Sequence, residues 1–303
     1  MKILIVGSSG MLGSELKKAL EWHELLTPTS QELNLKNEYW INEYVAGHKP
    51  ELIINAAVNS SVDGCETDAR ETLFVNTLGV ESLAKIAAIY GARFIHYSSD
   101  YVFSGRDKTA YDETFKTEPI SVYGKSKAEA ERRIEFLGAH FGLDYLVIRT
   151  SWLFGRGRDS FIEFFLKKLA TSPIEEKVFV VNDQVSTPTL AKDLAAATAL
   201  LISQNIRGLV HFANAGAVSK LEIMNEVCGW MRKNYPADER FVQSRLGPQS
   251  YKSMPWKAER PQYTPLATNL YQRIAGQSPR RWQDALYEHL EDIRDTKIKA
   301  VMG

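Results

Sequence analysis

Ile3-Leu4-Ile5-Val6-Gly7-Ser8-Ser9-Gly10-Met11-Leu12-Gly13, almost at the start of a 303-residue chain, decides the fold. Four β-branched or leucine residues in a row predict a short strand covered on both faces, and Leu12, Leu16 and Leu20 then recur at helical spacing over Met11 to Glu21. Between them, Gly7 permits a tight turn, Gly10 lets a pyrophosphate approach the backbone, and Gly13 allows the helix to pack closely. The helix N-terminus offers unpaired N–H groups to an anion. A dinucleotide site follows, with Gly7, Ser9, Gly10, Met11, Leu12 and Gly13 around the phosphates. The spacing is GxxGxxG rather than GxGxxG.

The same rhythm continues outward. Leu25 to Thr27 is a weak second strand, Leu52 to Asn55 a third, Arg93 to Tyr97 a fourth and Tyr145 to Arg149 a fifth. Helices are predicted from Ala69 to Tyr90 and from Gly124 to Phe141. Strands alternating with helices predict an α/β fold, a Rossmann-type doubly wound parallel sheet, over residues 1–150. Beyond residue 150 the pattern is irregular. Val178 to Val181 and Leu209 to Ala213 read as strands, and Leu190 to Ser203, Leu221 to Arg232 and Arg281 to Asp295 as helices. The stretch from Asn234 to Pro265 reads as loop. Residues 151–303 are expected to form mainly a smaller α/β substrate domain over the carboxyl ends of the strands, some segments returning to the first domain.

Composition excludes several classes. The chain is 44% hydrophobic and 24% charged, as ordinary folded proteins are. Lys plus Arg and Asp plus Glu number 37 each, so no net field draws it to nucleic acid or to an anionic membrane. The longest apolar run, Leu194 to Ile202, is about half of the roughly 18 residues a membrane span needs. Cys65 and Cys228 stand far apart, and the six histidines form no HxxxH or HExxH; neither zinc nor a disulfide framework is indicated, and a reducing cytoplasm fits.

Two further segments carry chemistry. Tyr123-Gly124-Lys125-Ser126-Lys127 opens the helix before strand five, and residues four apart share a helix face, so the Lys127 ammonium is expected near the Tyr123 phenol, lowering its pKa. A tyrosine so placed can act as general acid at a carbonyl. Ser98-Ser99-Asp100-Tyr101-Val102 follows strand four, where a serine could bond the same oxygen. At the end of strand two, Thr27-Pro28-Thr29-Ser30 carries hydroxyls and no carboxylate, so NADPH is favoured, with NADH left open.

Taken together, GSSGMLG, NAAVNSSVDGCE (Asn55 to Glu66), SSDYVFSG, PISVYGKSKAEAE (Pro119 to Glu131), IRTSWLFG (Ile148 to Gly155), DQVSTPT (Asp183 to Thr189) and ERP (Glu259 to Pro261) resemble, in order, the motifs of the dTDP-4-dehydrorhamnose reductase family of extended short-chain dehydrogenase/reductases. The resemblance implies NADPH-dependent reduction of the C4 ketone of dTDP-4-dehydro-β-L-rhamnose. It implies Tyr123 as proton donor, Lys127 as its partner and a ligand of the nicotinamide ribose, and Ser99, where the family usually has threonine, as third polar member. Ser99, Asp100, Val102, Tyr123 and Trp152 fall where the family contacts the deoxysugar. Ala56, Ala57 and Val58 fall along the cofactor, and so do Asn34 and Leu35, in a stretch (Ser30 to Leu35) more like that of GDP-fucose synthase. Asn59 to Asp63 reads Asn-Ser-Ser-Val-Asp against the usual Tyr-Thr-Ala-Val-Asp, and Ala130 replaces a frequent glycine. Another nucleotide-linked 4-keto-6-deoxysugar, and a non-catalytic NADP-binding role like that of the methionine adenosyltransferase β subunit, stay open as alternatives. The resemblance leaves magnesium and a homodimer open as well; no metal ligand is indicated by the residues themselves.

Overall fold

The computed structural model describes residues 1–242 and 245–302. Its strands are β1 (Lys2–Val6), β2 (Glu24–Leu26), β3 (Leu52–Asn55), β4 (Arg93–Ser99), β5 (Tyr145–Thr150), β6 (Leu153–Phe154), β7 (Val178–Val181), β8 (Val185–Ser186), β9 (Thr189–Leu190), β10 (Gly208–His211), β11 (Val218–Ser219) and β12 (Leu246–Gln249). The main helices are α1 (Met11–Ala19), α2 (Glu38–His48), α3 (Val62–Thr67), α4 (Ala69–Leu73), α5 (Gly79–Tyr90), α6 (Val122–Phe141), α7 (Phe161–Thr171), α8 (Ala191–Ser203), α9 (Lys220–Asn234), α10 (Asn269–Ala275) and α11 (Trp282–Asp292).

Six strands pair in parallel in the order β10-β5-β4-β3-β1-β2. Alternate residues of each strand feed opposite cores, as the twofold side-chain period requires. Ile3, Ile5, Ile54, Ile95 and Ile148 pack with Leu16 of α1 and Leu194 and Leu201 of α8. Leu4, Val6, Ile53, Phe94 and Val147 pack on the other face with Val45 of α2, Val80 and Leu83 of α5 and Ile134 of α6. The strands are therefore doubly covered, and their apolar runs are continuous. A third core gathers Leu166 of α7, Val178 of β7, Val227 of α9 and Leu286 of α11.

Several elements depart from the sequence reading. β10 joins the main sheet beside β5, with Leu209 opposite Val147, although it lies beyond residue 150. The segment read as loop contains β12, which pairs with β7; Gln243 and Ser244 within it lie outside the described residues. Helices α2, α7 and α10 are absent from the sequence reading; α2 buries only Ile41 and Val45, whereas α7 buries Ile162, Phe165, Leu166 and Leu169 at helical spacing and starts on a Ser160/Glu163 capping box. The helix from Ala69 to Tyr90 contains a π-turn over Phe74–Leu78. By length and composition this helix could cross a membrane, contrary to the expectation that no segment approaches that length. Its apolar stripe instead lies in the core with α2 and α6, and half of the apolar stretch is buried.

Candidate active site

The glycine turn forms as its residue types require. Gly7 has φ +81°, and a Cβ there would lie 2.6 Å from the Ala57 backbone nitrogen. A Cβ on Gly13 would strike the Gly7 carbonyl. Only glycine satisfies both positions. Gly10 caps α1 without a side-chain bond, leaving the helix N-terminus open. Ser9 is exposed, whereas the Leu12 side chain is buried in the core, so Leu12 can offer a ligand its backbone alone. Met11 meets the turn after β6, where a Cβ on Gly155 would lie 3.4 Å from the Met11 side chain and 3.0 Å from that of Ala191. Ala56 and Ala57 continue β3 beside this turn, with the Ala57 N–H donating to Asn55 Oδ1 (3.1 Å), and Val58 is exposed. The open N–H groups and the side-chain-free cradle suit the pyrophosphate of a dinucleotide.

At the end of β2 the structure corrects the sequence reading. The Glu32 carboxylate turns back to accept from the Thr29 N–H (2.8 Å) and hydroxyl (2.9 Å), which holds its pKa below the ordinary value. A negative charge thus stands where none was expected. Asn34 Oδ1 accepts from the Lys36 N–H, while Leu35 packs at the rim of the second core with its carbonyl against Gly79.

Ser99, at the last position of β4, donates to Asp100 Oδ1 (2.9 Å), accepts from the Tyr101 N–H (3.2 Å) and lies close enough to the Tyr123 phenol to lower its pKa. Tyr123 comes from the first turn of α6, which is capped by the Ser121 hydroxyl on the Gly124 N–H. Its ring stands edge-on to Tyr101, centroids 5.6 Å apart. Burial raises the phenol pKa, the Ser99 hydroxyl opposing and the Asp100 charge adding to the rise. Tyr123 is a protonated donor.

Lys127 does not act on that phenol as the helical spacing suggested. It is 2% exposed, and its Nζ lies 2.8 Å from His96 Nε2 and donates to the Tyr97 carbonyl (2.5 Å). Burial lowers its pKa to about 7, with Glu131 pulling in the opposite direction.

Two of the expected sugar contacts are also revised. Val102 is 0% exposed and packs with Phe103, Tyr111 and Leu266, so it has no face to offer. Asp100 is 1% exposed, and its other oxygen accepts from Thr264 (2.6 Å) and Ser186 (3.1 Å). Burial lifts its carboxyl to about 6 despite these bonds. Asp100 is an internal tie that fixes Ser99 and the Ser186 and Thr264 segments. Trp152 does stand at the site's edge, in a left-handed conformation (φ +39°) rare for a bulky residue.

The Trp152 ring supports a cluster no motif announced. Lys220 Nζ lies 5.1 Å from the Trp152 ring centroid and 5.4 Å from that of Trp256, and the Arg260 guanidinium sits 4.0 Å over the other ring contact, Trp256. Arg260 forks onto Asp63 (3.0 and 2.9 Å), whose pKa is lowered chiefly by that bond. Burial and the Arg260 charge bring Lys220 to about 8. Of these, Arg260 lies in the ERP motif, whereas Lys220 and Trp256 belong to none of the motifs in the sequence. A lysine at the first position of a helix opened by a Ser219/Glu222 capping box was the one local signal for Lys220.

Comparison with known proteins agrees over the whole chain. The model of the RmlD substrate binding domain matches residues 1–295. The chain is 30% identical over 293 residues to the spore coat polysaccharide biosynthesis protein SpsK of Bacillus subtilis, covering 96% of this chain and 97% of that protein. It is 31% identical to the dTDP-4-dehydrorhamnose reductase of Aggregatibacter actinomycetemcomitans, covering 94% and 97%. The crystal structure of dTDP-4-dehydrorhamnose reductase from Bacillus anthracis in complex with NADP superposes with a TM-score of 0.86 at 26% identity, covering 96% and 99%. On the match over residues 1–295 and on these relatives, the chain belongs to the dTDP-4-dehydrorhamnose reductase family, that of the RmlD substrate binding domain, within the extended short-chain dehydrogenase/reductases.

Proposed function

We propose that the protein is an NADPH-dependent reductase of a nucleotide-linked 4-keto-6-deoxyhexose, dTDP-4-dehydro-β-L-rhamnose foremost, acting in the cytoplasm in the synthesis of a deoxysugar nucleotide for polysaccharide. The observation that carries it is the protonated Tyr123 phenol standing beside Ser99 at the carboxyl end of β4, with the glycine turn left open. The relatives named as this reductase, and the NADP held by one of their structures, support the same reading.

The nicotinamide cofactor, when bound, supplies a hydride to the C4 carbonyl carbon. Tyr123 gives its proton to the oxygen that becomes an alkoxide, and a donor held in place contributes roughly 10²–10⁴-fold. Ser99, oriented by Asp100, holds the phenol where that oxygen arrives. In this reading Lys127 serves the nicotinamide ribose. Residues 1–150 are assigned to the cofactor and most of 151–303 to the sugar nucleotide, whose diphosphate suits Lys220 and Arg260 and whose flat base suits Trp256 or Trp152.

The test is NADPH oxidation by the purified chain with dTDP-, UDP- and GDP-linked 4-keto-6-deoxyhexoses, and turnover of the dTDP sugar above the others is expected. Tyr123→Phe should lose turnover while binding NADPH nearly as before. Full activity in that variant sinks the mechanism, and silence with every sugar in an NADP-binding chain favours the non-catalytic alternative.

A further inference from the structure

Behind the catalytic tyrosine lies a buried line of polar groups, Asn55 of β3, His96 of β4 and Lys127 of α6, of which the reductive chemistry above uses Lys127 alone. Asn55 Nδ2 is 3.2 Å from His96 Nδ1, and His96 Nε2 is 2.8 Å from Lys127 Nζ. His96 is fully buried and stacked beside Phe94.

Donor and acceptor matching fixes where the protons sit. A backbone N–H can only donate, so the Asn55 atom facing the Ala57 N–H at 3.1 Å must be the oxygen. The atom facing His96 is then the NH₂ group, which donates, and Nδ1 must accept. A neutral imidazole carries one proton, here on Nε2. That proton points at Nζ, which can receive it only through a lone pair. An ammonium has none. An ammonium at Lys127 would force the proton onto Nδ1, donor against donor at Asn55, which is costly in a dry site.

We propose that His96 is a positioning residue that sets the charge on Lys127: anchored by Asn55, it presents Nε2–H to the ε-amine and keeps Lys127 a neutral amine while the cofactor is absent. The charges acting on the pair are few. An ammonium at Lys127 is the charge that would act on His96, and Glu131, one turn further along α6 and paired with Arg149 of β5 at 2.7 Å, is the charge that favours that ammonium. The Tyr97 carbonyl takes one amine hydrogen, which leaves the other for a ligand. The lowered pKa of Lys127 points the same way. An arriving anionic dinucleotide then favours the ammonium, so binding draws in a proton, and the Asn55–His96 contact must loosen when it does. The ribose role of Lys127, and with it the functional consequence, rests on the reductase reading; the proton positions do not.

The deciding experiment is long-range ¹H–¹⁵N NMR of the unliganded protein labelled in its histidine rings, from pH 7.5 to 9, the His96 signals being those lost in His96→Gln. A neutral ring protonated on Nε2 is expected. A proton on Nδ1, or an imidazolium, overturns the proposal. Calorimetry of NADP binding at pH 8, in buffers of different ionisation enthalpy, reads the coupling. Wild type should take up a large part of one proton and His96→Gln at least threefold less; equal uptake in the two overturns it. A chain that reduces no sugar nucleotide would remove the reductase reading and leave the ring-nitrogen result untouched.

Discussion

The two sides of the site are built on different physics. The side on β4 and α6 is buried and made of short bonds between neutral or neutralised groups: Ser99, Asp100, Tyr123, His96 and Lys127, where burial is the first cause of every shifted pKa. The opposite side, around Trp152, Trp256, Lys220 and Arg260, keeps its cations and places them over aromatic faces, with Asp63 gripping the arginine. A preorganised dry pocket suits proton transfer, because the donor there is not diluted by water. Retained charge suits an anionic nucleotide that arrives from solvent and must leave again. The difference predicts that damage to the first side lowers kcat and damage to the second raises KM.

After Tyr123→Phe, Ser99→Ala should show the largest effect, since it removes the hydroxyl beside the phenol and leaves Asp100 short of a donor. A fall in kcat of about 10²-fold or more, with KM within about threefold, is expected from steady-state kinetics. An equal loss carried entirely in KM would erase the distinction between the two sides.

Asp100 tests the dry side through stability. Its native carboxyl titrates at about 6 against an ordinary 3.8, so between about pH 4 and pH 6 the folded protein keeps a proton that the unfolded chain has lost. This group's contribution is therefore greatest below about pH 4 and is lost as pH rises towards 6, by about 3 kcal/mol at most. Asp100→Asn, which cannot ionise, should show denaturant midpoints lacking that decline. A wild type that gains stability relative to the variant over the same range would contradict burial as the dominant influence.

How much of this was legible in the sequence also divides along that line. Leu52 to Asn55 and Val178 to Val181 were readable as strands because buried strands are continuous apolar runs. Ser99 and Tyr123 were readable because each lies in a compact local motif at the end of a strand or the start of a helix. Asp100 was misjudged, since its partners Ser186 and Thr264 are far away in the chain and only the fold brings them to it. Lys220, Trp256 and Arg260 meet for the same reason, from separate segments, and each alone looks like an ordinary surface residue. His96 was hidden in another way: within an apolar strand, a single polar residue reveals neither its partners nor its proton. Glu32 lies two residues beyond the hydroxyl-rich Thr27 to Ser30, and a tight turn folds its carboxylate back onto Thr29.

On the charged side, Lys220→Met keeps the side-chain stem and removes the ammonium. KM for the nucleotide sugar should rise about tenfold with kcat little changed, a loss in the range of a desolvated cation contact. In wild type the same KM should climb as pH passes about 8, where Lys220 loses its proton, and the variant should lack that rise. A kcat defect in Lys220→Met would place this lysine with the reacting groups instead.

The smallest effect is expected beyond the end of β2, at Glu32. Its carboxylate occupies the Thr29 N–H and hydroxyl at the end of β2 and carries a full charge at neutral pH. A 2′-phosphate brought there meets repulsion, whereas a ribose hydroxyl can donate to the same oxygen. Glu32→Gln keeps the shape and removes the charge, so the ratio of NADPH to NADH affinity should rise about threefold at low salt, as exposed charges in water allow. Raising the salt to about 1 M, where charges only a few ångströms apart are screened, should shrink the gain. A ratio unmoved at low salt would mean that the phosphate lies away from Glu32 and that the glycine turn, rather than the end of β2, governs the choice of cofactor.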